Sequence, residues 1–465
     1  MKIPEKAPQG SAKLESISLF TSGKLNDFLS EANREYLYWD KVKYRKITEG
    51  VNIKDAWYCL KLSRKLVSKP VGLKDRDGKP FTFWNTDRFL QYLSDIDKYA
   101  AGQILSEEFI TSKLFMTGHP SPPSDEKSRF PPKTRETPLR YFHGKGKDLY
   151  IRNSLMEESI ASSVLEGAVS TRKAAKQMLK SGRKPRDHSE RMIANNYRTV
   201  LMVKELSGKP LSVELLNRLH ASMTEDTLEN RSDSGKVRAT GDEVDVVDEQ
   251  GTLLHTGIPA EQLPEHLDRL CRFANQQEED IYIHPVIKAI MLHFALAYIH
   301  PYMDGNGRCA RALFYWYLLS KEYWLIEYLS ISRMFLKARS RYHRAFLYTE
   351  MDGGDLNYFI HYHLEMVIQA IDQVTDHIKR KQKEIQKLTF TGLNYRQQDI
   401  LRYAVRKPET RFTIYTHQVH HGVVYQTART DLLDLVDRGY LRQLKIGRAF
   451  YFEAVFDLAR IIRES

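Results

Sequence analysis

Cysteine is scarce: the 465 residues hold three, Cys59, Cys271 and Cys309, far apart and in no Cys-x-x-Cys spacing. This excludes a disulfide framework and a cysteine-built zinc site, and it points to a reducing compartment. Long apolar runs are missing too. No stretch reaches the roughly 18 residues of a membrane span. The opening Met1-Lys-Ile-Pro-Glu-Lys lacks the apolar core of a secretory leader, so a cytoplasmic location with no membrane partner is expected. There are no internal repeats and no low-complexity tract. What is present is a 42% share of apolar residues, enough for packed cores, which excludes global disorder. Lys+Arg number 71 against 59 Asp+Glu, a formal charge of +12 that suits nucleic acid, phosphate-rich ligands or a lysine-rich surface equally. At roughly 100–200 residues per domain the length implies two to four domains.

The pattern is mainly α. Leu25, Phe28 and Leu29 recur at helical spacing, as do Phe89, Leu90 and Leu93, within a helical first segment (1–117). In it Pro80-Phe-Thr-Phe-Trp reads as a short strand or loop, and the aromatics Tyr36, Trp39, Tyr44, Trp57 and Trp84 are expected in a core. Gly118 to Pro138 holds six prolines, a density neither helix nor sheet tolerates, so 118–145 is read as a linker. Helical patterns then run through a central domain, 146–375, with helices expected over Met156 to Val169, Ser189 to Leu206, Leu211 to Met223, Pro264 to Ala274 and Val286 to Ile299. One stretch breaks this: β-branched residues alternate on either side of Asp248-Glu-Gln-Gly, which predicts a hairpin flap. A charged helical spacer (376–390) leads to a last segment (391–465). Its order of three helices and a hairpin is that of a winged helix-turn-helix.

The segment richest in chemistry is Ile299-His-Pro-Tyr-Met-Asp-Gly-Asn-Gly-Arg-Cys-Ala-Arg311. It reads as a helix ending at His300, a turn, and a new helix from about Asn306. Gly305 and Gly307 let backbone approach a ligand closely, and the new helix offers free N–H groups and a positive dipole end to a phosphate. Arg308 and Arg311, three apart, can face the same anion. Asp304 suits a hard divalent cation such as Mg²⁺. His300 is positioned to take a proton from a hydroxyl. Together these describe a nucleotide-phosphate transfer site.

This loop resembles the Fic (Fido) signature HxFx(D/E)GNGRxxR, with Tyr302 where Phe is usual. The run from His284 to Ile299 is similar to the helix preceding that motif, and Gly235-Lys-Val-Arg238 with the hairpin to its target-docking flap; about residues 150–375 fit. The resemblance implies a Fic-type helical core and a protein adenylyltransferase that moves AMP from ATP to a Ser, Thr or Tyr hydroxyl. Carried onto this chain, His300 would be the general base and Asp304 the Mg²⁺ ligand. Gly305, Asn306 and Gly307 would cradle the α-phosphate, and Arg308 and Arg311 would hold the β and γ phosphates. A relative that phosphorylates carries Lys where this chain has Gly307. Ser162-Ser-Val-Leu-Glu166-Gly167 resembles the family's inhibitory motif (S/T)xxxE(G/N). On an inhibitory helix at about 153–170, Glu166 would occupy Arg311 and leave ATP in an unproductive pose. Lys236, Val237, Arg238, Val244 and Leu253 belong to the flap, whose edge would pair with a target strand.

Other readings remain open at this point. The same site with Glu166 could remove AMP instead. A DNA-binding regulator with a nucleotide-sensing core is the alternative of another class. Residues 391–465 carry twelve Lys+Arg and eight Asp+Glu, a net of +4, with Arg438, Arg442, Lys445 and Arg448 near the wing; but Asp431, Asp434 and Asp437 on the third helix disfavour DNA. His417, His420 and His421 have no Cys or carboxylate beside them in sequence, so a solvated helix is preferred to a metal site. Self-modification and a homodimer are compatible with the resemblance.

Overall fold

The structure is a computed structural model that describes residues 3–8, 14–47, 49–100, 145–248, 250–275, 282–386, 392–406, 408–446 and 449–464. All but the last residue of the expected linker 118–145 lies outside them, as do 387–390 at the end of the expected spacer. The chain divides into two compact units: Met1–Tyr141 with Tyr150–Ile371, and Phe142–Leu149 with Asp372–Ser465. The fold is mainly helical, with a two-stranded flap in the larger unit.

The larger unit opens with α1 (Leu14–Thr21), α2 (Asn26–Arg34), α3 (Trp39–Val42), α4 (Ile53–Val67), the hairpin β1 (Lys69–Lys74) and β2 (Pro80–Phe83), and α5 (Asp87–Ala100). Trp39 and Trp57 pack with Tyr36 and Tyr38 in one core that also holds Tyr358. Arg64 is buried beside it, stacked over the Tyr36 ring and donating to the Tyr358 hydroxyl at 2.7 Å. Tyr44 departs from expectation: its ring is 78% exposed, with the Lys43 ammonium over its face.

The unit continues with α6 (Lys145–Leu165), α7 (Arg172–Ser181), α8 (His188–Leu206), α9 (Val213–Thr224), β3 (Asp245–Val247), β4 (Leu253–Thr256), α10 (Leu263–Ala274), α11 (Pro285–Ile299), α12 (Asn306–Ser320), α13 (Ile331–Lys337), α14 (Arg339–Met351) and α15 (Asn357–Gln386), the last running on past the unit's edge. α11 is apolar all round and buried nearly throughout, the pattern of a central helix. Pro285 suits its first turn, and the His284 side chain caps it by accepting from the Val286 N–H. α12 packs along α11 and buries Leu313, Phe314 and Trp316. Each such side chain contributes about 1.5–3 kcal/mol. This core holds the turn between α11 and α12 in place.

β3 and β4 form an antiparallel pair, Val246 opposite His255, closed by a turn in which the Asp248 carboxylate accepts from the Gln250 and Thr252 N–H groups. Among the described residues no third strand joins them.

The smaller unit contains α16 (Tyr395–Arg406), β5 (Arg411–Phe412), α17 (Ile414–His421), α18 (Tyr425–Asp437), β6 (Leu441–Ile446), β7 (Ala449–Ala454) and α19 (Leu458–Glu464), with a three-stranded sheet in the order β5-β7-β6. Leu401, Leu432, Leu435 and Phe452 form its core. Two of the basic residues near the hairpin are paired, Arg438 with Asp434 and Arg442 with Glu453, while Arg448 lies outside the described residues. No described helix is long and apolar enough to cross a membrane.

Candidate active site

α11 ends at Ile299, and His300 follows in the left-handed region at φ 53°. That conformation is unfavourable for a residue with a Cβ, and the surroundings hold it. The buried Arg238 donates Nε to the His300 carbonyl at 2.9 Å, Nη2 to Ile258 O at 2.7 Å and Nη1 to Asp242 O at 2.8 Å. Its own N–H bonds Pro301 O at 2.9 Å. Arg238 therefore ties the flap base to the turn instead of facing outward. Gly257 passes so close that a Cβ there would meet the His300 Cβ and Arg238 Nη2 at 3.0 Å each.

The His300 ring has a defined tautomer. Its Nδ1 lies 3.0 Å from the Ala297 carbonyl, which can only accept, so Nδ1 carries the proton and Nε2 keeps a lone pair. Burial pulls its pKa down to about 4, despite the bond to Ala297, so the ring is neutral near pH 7. His255 of β4 stands beside it, ring centroids 6.3 Å apart, bridging Glu350 at 2.8 Å and Tyr298 O at 2.8 Å.

The turn is closed by its own side chains. Asn306 accepts from the Tyr302 N–H at 2.9 Å and donates to the Tyr302 carbonyl at 2.7 Å. Its side chain thus shapes the loop, and only its backbone N–H is left for a ligand. Tyr302 is fully buried, its ring stacked on His220 at 3.9 Å and its hydroxyl donating to Asn217 at 3.0 Å. Asn217 accommodates the hydroxyl that Phe would lack. His220 accepts from the Gly235 N–H at Nδ1 and so donates from Nε2 to the Asp304 carbonyl at 2.8 Å. Burial holds its pKa down to about 4.

Gly305 (φ 85°) is the N-cap of α12. Asp304 is 58% exposed at the mouth, with one oxygen accepting from the Gly305 N–H at 2.6 Å and the other 3.5 Å from Arg308. Arg308 is buried; Nη1 reaches Met223 O at 3.3 Å, while Nε and Nη2 have no hydrogen-bond partner among the described residues.

Arg311 is also buried and fully engaged. Nε donates to Ser162 Oγ at 2.8 Å, and Nη2 to Ser162 O and to Glu166 Oε1, both at 2.9 Å. Burial works to raise the Glu166 carboxyl, but Arg311 and Arg308 outweigh it and hold it below the usual range. α6 stops at Leu165, short of the expected 170, so Glu166 lies just past the helix rather than on its face. Gly167 (φ 93°) makes the stop: Ala168 N–H bonds Ser163 O and Gly167 N–H bonds Val164 O, a Schellman pattern. Gly307 has no backbone strain but no room either, since a Cβ would fall 2.3 Å from Glu166 Oε1.

Glu158, one helical stretch upstream, is buried against α13. It accepts from the Ser332 N–H at 3.0 Å, from Ser330 Oγ at 3.1 Å and from Ser332 Oγ. The sequence gives no local hint of Glu158, His220, His255 or Gly257, whose partners are remote. On the flap, Lys236 and Leu253 are exposed and Val237 and Val244 partly buried.

Residues 210–318 match the model of the Fic/DOC family. Among solved structures, a Fic family protein from Desulfovibrio desulfuricans G20 is 15% identical, with 70% of this chain and 98% of that one covered and a TM-score of 0.45. A Fic domain containing signaling protein from Bacteroides thetaiotaomicron VPI-5482 is 20% identical, covering 51% of this chain and 92% of its own, TM-score 0.42. Fic-1 from C. elegans is 16% identical, covering 79% and 88%, TM-score 0.45. The family match spans the whole turn from His300 to Arg311, so residues 210–318 carry a Fic/DOC-type domain.

Proposed function

We propose that this protein is an autoinhibited adenylyltransferase that moves AMP from ATP to a hydroxyl of a protein, itself included. His300 Nε2 takes the proton of the target hydroxyl. The hydroxyl oxygen attacks the α-phosphorus, the bond to the β-phosphate bridging oxygen breaks, and pyrophosphate leaves. The N–H groups at the start of α12 stabilise the charge that develops on the α-phosphate. Arg308, buried with two nitrogens lacking a hydrogen-bond partner among the described residues, has donors to give to a polyphosphate. Asp304 fits a Mg²⁺ site as a hard, exposed carboxylate at the mouth. Mg²⁺ held there would neutralise phosphate charge. The open flap edge, Val244 to Leu253, would align a target strand.

The observation that carries the autoinhibited reading is the Arg311 guanidinium, shared between Ser162 and Glu166. A γ-phosphate must compete with a carboxylate already in place, and its charge is repelled by it. The test is incubation of Glu166→Gly with Mg²⁺ and ATP labelled at the α-phosphate. Self- or target-labelling at least roughly tenfold above wild type is expected, a change of about 1.4 kcal/mol, and it should vanish in Glu166→Gly combined with His300→Ala. Absence of label on the variant and on every protein of a lysate would overturn the proposal. Release of AMP from a labelled target by the wild type, dependent on Glu166, would instead favour the reverse reaction.

A further inference from the structure

α17 ends in His420 and His421, and Gly422 then turns into the left-handed region. In sequence these histidines have no acidic neighbour. The fold supplies one: Asp399 of α16, buried on one side, points at both. His420 Nε2 is 3.3 Å from Asp399 Oδ2 and His421 Nε2 is 3.8 Å from the same oxygen. One ligand atom from each of the three residues lies within 4.8 Å of the others. The two imidazole rings stand perpendicular, centroids 4.6 Å apart.

These separations can be compared with what a metal requires. Four ligands arranged tetrahedrally about 2.0–2.1 Å from an ion are roughly 3.3–3.5 Å from each other. The His420–Asp399 separation already meets that, and the His421 separation needs a shift of a few tenths of an ångström. The nearby His417 is excluded from the set, because its Nε2 is committed to Asp431 at 3.0 Å, a carboxylate also held by Arg396. His417 instead packs edge-on against the His421 ring, centroids 4.6 Å apart.

We propose that Asp399, His420 and His421 form a three-ligand site for a borderline divalent cation of the Zn²⁺, Co²⁺ and Ni²⁺ class. Two imidazole nitrogens and one carboxylate oxygen select these ions over Mg²⁺ or Ca²⁺, which take all-oxygen sets. The His420 side chain is 52% exposed, so the ion is reached from solvent and water completes its coordination. The ligands come from α16 and α17. A bound ion therefore cross-links two helices of the smaller unit, and its binding energy adds to that unit's stability. This inference is independent of the transferase reading, since its residues lie in the other unit and no nucleotide enters the argument.

The test uses the full chain, stripped with chelator, dialysed and titrated with Co²⁺ at pH 7.5 without nucleotide. One Co²⁺ per chain is expected, giving the visible bands of a nitrogen-containing, low-coordinate site, and Zn²⁺ should displace it. Asp399→Asn and His420→Ala should each weaken binding by at least roughly tenfold. Saturating Zn²⁺ should raise the melting temperature of the wild type and not that of either variant. His420 is largely exposed, so His420→Ala keeps the fold. The proposal is overturned if the wild type takes up no stoichiometric Co²⁺. It is equally overturned if both variants bind as the wild type does, since the ion then sits elsewhere and the three residues form only ion pairs.

Discussion

Arg311 donates to the Glu166 carboxylate at 2.9 Å, across 145 positions of chain. The same guanidinium is bound by the side chain and the carbonyl of Ser162, so the last turn of α6 and the residue just past it supply all three acceptors. A carboxylate at a helix C-terminus is poorly placed with respect to the helix dipole. It is held there by two buried arginines, Arg311 and Arg308. The Glu166–Arg311 contact is thus weak in its local setting and strong in its tertiary one. Whatever loosens the seat of α6 frees Arg311 without touching the catalytic turn.

Glu158 is that seat. It is buried on α6 and caps the N–H end of α13 through Ser332, with Ser330 Oγ as a further donor. Burial raises its carboxyl, partly offset by hydrogen bonds from Ser332 and Tyr315. Glu158→Gln puts an amide N–H₂ against donors, at a cost of about 1–3 kcal/mol. We expect lower stability in urea together with a roughly fivefold rise in basal labelling, about 1 kcal/mol of coupling. A drop in stability with labelling unmoved would make Glu158 a structural residue only.

The turn is legible in the sequence because its chemistry is contiguous: His300, Asp304, Gly305 and Arg311 fall in one short stretch, and Ser162 and Glu166 stand at a fixed spacing. The residues that hold the turn are not, because each works through a partner far away in sequence. Arg238 looks like flap surface until its guanidinium is found on the His300 and Ile258 carbonyls. His220 looks like an ordinary helix position until it is found stacked under Tyr302. Asp399 could not be paired with His420 from spacing, since the two stand 21 positions apart with a strand between them. Tyr44 misleads in the opposite way, since an aromatic in an apolar stretch is more often buried than left on the surface.

Arg238 gives a sharp test of the support. Its planar fork reaches three carbonyls in different directions, which a single ammonium cannot do. Arg238→Lys should cost about 2–4 kcal/mol in urea unfolding. It should also speed proteolysis within 239–257 well beyond what the global loss explains. A variant as stable as wild type with an unaltered cleavage pattern would show that the flap is held by other contacts.

The pH dependence follows from buried neutral histidines. His293 and His363 are buried with rings 4.9 Å apart, and burial lowers both pKa values, that of His363 to about 3. In the unfolded chain a histidine titrates near 6.5. Below that pH the unfolded state binds more protons, so stability is full above about 6.5 and falls as the pH drops toward the folded values. Each group contributes up to about 1.4 kcal/mol per pH unit in that window. The melting temperature of the larger unit should fall by on the order of 10 °C between pH 6.5 and 5, with a shallower slope in His363→Phe. The transferase itself should behave differently. The His300 pKa of about 4 keeps the base neutral, so labelling by Glu166→Gly should be flat from pH 6 to 8 as far as this group is concerned.

Gly307 allows the Glu166–Arg311 contact, inhibitory in the proposed reading, to be measured without an activity assay. A Cβ at this position would lie 2.3 Å from Glu166 Oε1 and 2.9 Å from its Cδ, and its three nearest atoms all belong to Glu166. The residue sits in the first turn of α12 with no positive φ, so alanine is acceptable to the backbone and favoured over glycine by up to about 1 kcal/mol in a helix. In the wild type, Gly307→Ala must push the carboxylate off Arg311, and we expect a loss of about 1–3 kcal/mol. In the Glu166→Gly background these three atoms are gone, and the same substitution should be neutral or stabilising. The difference between the two, read from urea unfolding of the four proteins, is the coupling between Glu166 and the catalytic turn. Equal effects in both backgrounds would mean that Glu166 does not rest on Gly307 in solution.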